Sequence, residues 1–103
     1  MNMKDREKAF ENKFAHDAEL KFKAESRRNK LLAQWAAGLL GNVEVDAYVK
    51  AVIAADFEEA GDEDVFRKIR GDFDASGVAQ SDEEIRTKML DLMDQAVAEV
   101  QND

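Results

Sequence analysis

The chain contains no proline, and three of its five glycines, Gly41, Gly61 and Gly77, stand between stretches of helical apolar spacing. Chain breakers are therefore scarce. Sheet-rich folds need frequent turn residues, whereas a chain with 37% charged residues and so few breakers favours helices. At 103 residues there is room for one small domain with a single core, and not for two.

Apolar residues recur at helical intervals in four segments. In the first, Phe10, Phe14, Ala18 and Phe22 form one broad stripe, and Leu32, Trp35, Ala36 and Leu39 continue it. Residues 23–30 contribute no large apolar side chain, so the stripe has a gap at which the two parts are expected to separate at little apolar cost. Gly41 with Asn42 is expected to stop this helix, because glycine adopts the left-handed conformation at little cost. A second helix is expected on Val45, Tyr48, Val49, Val52, Ile53 and Phe57, ending at Gly61. Asp62 is placed to cap a third, with Glu63 and Asp64 near its positive end and Val65, Phe66, Ile69 and Phe73 buried. Gly71 weakens that helix by about 1 kcal/mol relative to alanine, and Ser76 with Gly77 closes it. Ser81, Asp82, Glu83 and Glu84 form a capping box for a fourth helix with Ile85, Met89, Leu92, Met93, Ala96, Val97 and Val100 on its apolar side. Short connections make neighbouring helices antiparallel, so the expected fold is all-α, a small four-helix bundle.

The formal net charge of −8 is unevenly spread. Residues 1–30 hold nine Lys and Arg against six Asp and Glu, a balance of +3, and the remainder carries −11. An acidic body is repelled by phosphates and anionic lipid, so nucleic acid is not an expected partner. No apolar run approaches the ~20 residues of a membrane span, and the first residues lack the apolar stretch of a secretory signal. A soluble, cytosolic chain without membrane insertion is expected.

Signs of catalysis are sparse. The absence of cysteine removes disulfides, thiolate chemistry and cysteine-ligated metals, and His16 is the one histidine, which excludes paired-histidine metal sites. His16 in a charged helix reads as solvated, with a pH-sensing role the less favoured alternative. No glycine-rich phosphate cradle occurs. Asp72, Asp74, Ser76, Gly77 and Glu83 match positions of a calcium-binding loop. Against that reading, Phe73 belongs to the core stripe and Ala79 stands where such loops place a bulky aliphatic residue.

The amphipathic N-terminal stretch is more informative. Fully burying a phenylalanine is worth about 1.5–3 kcal/mol, so Phe10, Phe14 and Phe22 require cover. Either they pack on the chain's own bundle, or they lie in a partner's groove with Lys8 and Lys13 meeting acidic groups at its rim.

Long runs of the sequence resemble the zeta subunit of alphaproteobacterial F-type ATP synthases, a family of small ATPase inhibitors. They are Asp5-Arg6-Glu7-Lys8-Ala9-Phe10-Glu11, Lys13-Phe14-Ala15-His16-Asp17-Ala18-Glu19-Leu20, Lys23-Ala24-Glu25-Ser26-Arg27-Arg28-Asn29-Lys30-Leu31-Leu32 and Trp35-Ala36-Ala37. Two further runs are Ala55-Asp56-Phe57-Glu58-Glu59-Ala60-Gly61-Asp62-Glu63-Asp64-Val65 and Ser81-Asp82-Glu83-Glu84-Ile85-Arg86. Departures from the family pattern are confined to residues 41–46, 71–80 and the C-terminal tail.

The resemblance implies a four-helix bundle at residues 20–103 with a mobile or extended N-terminal helical arm at residues 1–19. The arm would insert into the catalytic head of the synthase, formed by alpha and beta subunits, and stop ATP hydrolysis while permitting synthesis. Arg6, Phe10, Lys13, Phe14 and Ala18 are the implied contacts. The bundle would dock against the head and rotor, leaving the protein peripheral to the inner membrane on the cytoplasmic side and monomeric when free. Neither catalysis nor a cofactor is expected. The alternative is a small acidic helical module that binds another protein or a ligand such as calcium or nucleotide.

Overall fold

The computed structural model describes residues 18–58 and 61–102. Among them are four helices: α1 (Ala18–Leu40), α2 (Val45–Ala55), α3 (Glu63–Ser76) and α4 (Asp82–Gln101). The fold is the expected all-α bundle. Arg6, Phe10, Lys13, Phe14 and His16 lie outside the described residues.

α1 is the hub. It packs broadly along α4 and α2, and α3 closes over it, while α2 and α4 do not meet. The main core joins Leu32, Ala33 and Ala36 of α1 to Val52 of α2, Val65, Ile69 and Phe73 of α3, and Ile85 of α4, all fully buried. Alanines at positions 33, 36 and 37 keep α1 slim where its neighbours approach it. Half-buried Trp35 meets Phe73 edge to face, with centroids 5.6 Å apart and planes at 70°. A second, smaller cluster packs Leu20 and Ala24 of α1 against Met93, Val97 and Val100 of α4.

Most helix ends follow the local signals. Gly41 has φ +77°, and its N–H donates to the Ala37 carbonyl at 2.9 Å. Gly77 has φ +71°, and the following Val78 N–H reaches back to the Phe73 carbonyl at 2.9 Å, satisfying a terminal acceptor of α3. The capping box is formed: the Ser81 hydroxyl accepts from the Glu84 N–H at 3.0 Å, and the Glu84 carboxylate accepts from the Ser81 N–H at 3.3 Å.

Two expectations need correction, and one helix cap carries no signal in the sequence. α2 ends at Ala55 and not at Gly61, and Phe57 is 71% exposed and outside the core. The amides of Phe57 and Glu58 donate to Ala54 and Ala55 carbonyls, a tightened last turn, while Asn29 of α1 engages the Asp56 side chain. Asp62 occupies the N-cap position of α3 but makes no side-chain cap bond, because its carboxylate accepts from Arg28. Finally, α2 is capped by Glu44, whose carboxylate accepts from the Asp46 and Ala47 amides at 3.2 and 2.6 Å. Glutamate is not a preferred capping residue, so its sequence position carried no such signal.

Candidate partner-binding surface

The first half of α1 looks polar in sequence and is not a solvated face. Ala24, Arg28, Leu32 and Ala36 fall four residues apart, so Arg28 occupies a core position between the two apolar clusters. Arg28 and Asn29 are each only 1% exposed. The Arg28 Nε donates to Asn29 Oδ1 at 2.6 Å, and an Arg28 terminal nitrogen donates to Asp62 Oδ1 at 3.0 Å. Asn29 in turn donates through Nδ2 to Asp56 Oδ2 at 2.9 Å. Consecutive residues of α1 thus hold both ends of the α2–α3 connection. Among the described residues, no buried side-chain polar atom lacks a hydrogen-bond partner.

This network corrects the expectation that separation at residues 23–30 is cheap. Little apolar packing would break there, but a buried guanidinium would lose its carboxylate. Such a loss costs about 3–5 kcal/mol for a fully buried pair and less here, since Asp62 is 54% exposed. Half-buried Glu25 lies in the same field. Burial raises its carboxyl above the ordinary value; Asp56 and Asp62 add to the rise, and Lys21 and Arg28 oppose it.

One turn earlier the helix turns apolar surface outward. Ala18, the one implied contact residue among those described, is the exposed first residue of α1. Phe22 is 57% exposed. Leu20 and Ala24 point about 160° away from it and pack against α4, so home contacts hold the opposite face. Arg27 pairs with Glu99 of α4 at 3.7 Å, a further tie on the packed side. Lys21 and Lys23 are exposed beside Phe22.

The basic character also shifts when it is placed on the fold. Residues 1–19 hold four basic and five acidic side chains, whereas residues 21–30 hold five basic ones and only Glu25 as an acid. The positive segment is therefore the start of α1 and not the stretch before it.

Other sequence candidates do not converge. Asp72, Asp74 and Ser76 lie within α3 and not in a loop. Asp72 accepts from the Tyr48 hydroxyl at 2.7 Å and pairs with Lys68 at 2.9 Å, and Asp74 pairs with Arg70 at 2.7 Å. Burial and the Asp72 carboxylate together push the Tyr48 hydroxyl well above its usual range. The calcium-loop pattern thus loses its geometry, and among the described residues no three His, Cys, Asp or Glu side chains are grouped to hold a metal.

A shallow groove beside α4 is lined by Trp35, Gln80, Ser81, Glu84, Thr87 and Lys88, with the Lys88 ammonium 5.7 Å from the Trp35 ring. Arg86 stacks 3.8 Å from the Phe66 ring and makes two bonds to Glu63, at 2.8 and 3.2 Å, which joins α4 to α3. Those bonds hold the Glu63 carboxyl below its ordinary value.

The arrangement suits binding by an apolar helical edge with a rigidly anchored base. Phe22 was legible from its spacing. Phe57 and the Arg28 anchor were not, because a buried arginine resembles an exposed one in sequence and its partner lies 34 residues away. A protein-family model described as ATPase inhibitor subunit zeta matches residues 1–99. No curated protein matches the chain. No described helix is long and apolar enough to cross a membrane.

Proposed function

The chain belongs to the ATPase inhibitor subunit zeta family, and from that membership we propose that it blocks ATP hydrolysis by inserting residues 1–19 into the catalytic head of an F-type ATP synthase. The observation that carries the reading is the extent of the match, which covers the N-terminal stretch as well as the bundle. Phe22 supports it. The member of the Phe10, Phe14, Ala18 and Phe22 stripe that is both large and described lies exposed, with the opposite face of α1 packed on α4.

The physics of the brake is differential binding. An inhibitor that binds every rotational state equally shifts nothing, so the segment must prefer a state reached during hydrolysis. Phe10 and Phe14 supply apolar area for a groove between alpha and beta subunits, and Arg6 and Lys13 supply charge at its rim. Ala18 sits where the segment joins α1, and its small side chain permits close approach. The bundle, residues 20–103, acts as the handle that keeps the segment near the head and rotor. Catalysis belongs to the synthase, and the chain acts as a monomeric regulator peripheral to the membrane on the cytoplasmic side.

Deletion of residues 1–19 tests this. The shortened chain is expected to keep its helicity and melting behaviour while losing inhibition of hydrolysis by purified synthase head. Inhibition equal to the parent's would remove these residues from the mechanism.

A further inference from the structure

We propose that the bundle carries a second docking face for the same partner, formed by Phe22 of α1 and Phe57 of the α2–α3 connection. This rests on the inhibitor reading and deepens it by naming the surface through which the bundle engages the head. They are the two exposed aromatic side chains among the described residues. Both refer to Asn29. Phe22 precedes it by seven residues, two helical turns, and so projects within about 20° of the same direction. Phe57 follows Asp56, which the Asn29 amide holds at 2.9 Å. Further along α1, in the same direction, Ala33 is fully buried, so Phe22 lies on the uncovered continuation of a packed face.

The connection is held at both ends, by Asn29 to Asp56 and by Arg28 to Asp62. Phe57 is thus presented from an anchored position, and much of the ordering cost of a contact loop is met before binding. Aromatic residues, phenylalanine among them, are enriched at the cores of protein interfaces. Exposed Lys21 and Lys23 flank Phe22 in sequence, and exposed Glu58 follows Phe57. The complementary surface is apolar, with acidic groups opposite the lysines and basic groups opposite the carboxylate.

A second copy of the chain has this charge pattern too, but too little area. Two partly exposed phenylalanines per copy, at about 150–250 Å² each when fully buried, fall short of the ~1,200 Å² of a stable interface. As an adjunct to the arm the same face suffices. It joins α1 directly to the inserted segment, so its contact becomes intramolecular at high effective concentration once the arm is engaged.

The test uses the full chain with its arm intact. Phe22→Ala, Phe57→Ala and the double variant are titrated against ATP hydrolysis by purified synthase head, alongside helicity, melting and sedimentation. Unchanged folding is expected, with the double variant needing about tenfold or more protein for half-inhibition and reaching the parent's maximal inhibition at saturation. A double variant that matches the parent removes the face and leaves the inhibitor reading intact. A lowered melting temperature assigns the rings to the fold instead. A parent dimer that dissolves in the variants makes a second copy the occupant, and either result overturns the proposal. A parent that does not inhibit removes the inhibitor reading and the face together.

Discussion

Across residues 32–37, α1 is held by close apolar contact with α2, α3 and α4, whereas one turn earlier, at Arg28 and Asn29, it is held by charge-assisted hydrogen bonds to the α2–α3 connection. The two layers differ in what they specify. Apolar burial is non-directional and tolerates repacking, but a buried guanidinium must find its acceptor in one geometry. The polar layer therefore fixes where the connection crosses α1, and the apolar layer supplies most of the stability. Beyond both layers, towards Ala18, the helix packs on α4 by one face and leaves Phe22 outward.

The contrast is broken most severely from the apolar side. Phe73 is fully buried against Trp35, and Phe73→Ala should lower the unfolding free energy by about 3–5 kcal/mol in denaturant titrations. Next come the two halves of the polar pair, which should respond unequally. Asp62→Ala strands a buried cation and is expected to cost about 2–3 kcal/mol, while Arg28→Met combined with Asn29→Leu removes the guanidinium together with the buried amide that accepts from it, leaves only the unburied Asp56 and Asp62 carboxylates to water, and should cost under about 1.5 kcal/mol. Equal losses would mean that the layer specifies nothing beyond its volume.

Helix propensity sharpens the comparison at smaller scale. Gly71 has nothing within 4 Å of an added Cβ and lies inside α3, so Gly71→Ala should raise stability by about 1 kcal/mol and the melting temperature by a few degrees.

The smallest effect is that of pH. The Glu25 carboxyl is raised above 4.5, chiefly by burial, so the folded chain binds this proton more tightly than the unfolded one. Its contribution to stability is present below the unfolded value and is lost as pH rises through the folded one. Glu25→Gln should therefore melt slightly higher than the parent at pH 7, with the difference closing near pH 4.5. Glu63, lowered by Arg86, works in the opposite sense, and its contribution is lost as pH falls through its folded value.

What could be read in advance follows the range of the interactions involved. α4 was legible almost completely, since its capping box is set within four residues and its buried Ile85, Met89, Leu92, Ala96 and Val100 follow one local period. Gly41 and Gly77 were legible for the same reason. The end of α2, the role of Asp62 and the meaning of the polar stretch in α1 were not. Each depends on pairing between Arg28 or Asn29 and a residue 27 to 34 positions away, and spacing carries no record of that. For the candidate surface, Phe22 followed from periodicity, but Phe57 read as core because the apolar spacing of α2 continues through it.

The most direct test of the inhibitor account is the rate of ATP hydrolysis by purified synthase head titrated with the parent and with the Phe10→Ala, Phe14→Ala double variant. The account predicts that the parent suppresses hydrolysis and that the variant, equally helical and equally stable, does so only at concentrations at least about tenfold higher. A folded variant that suppresses hydrolysis at the parent's concentration would contradict it.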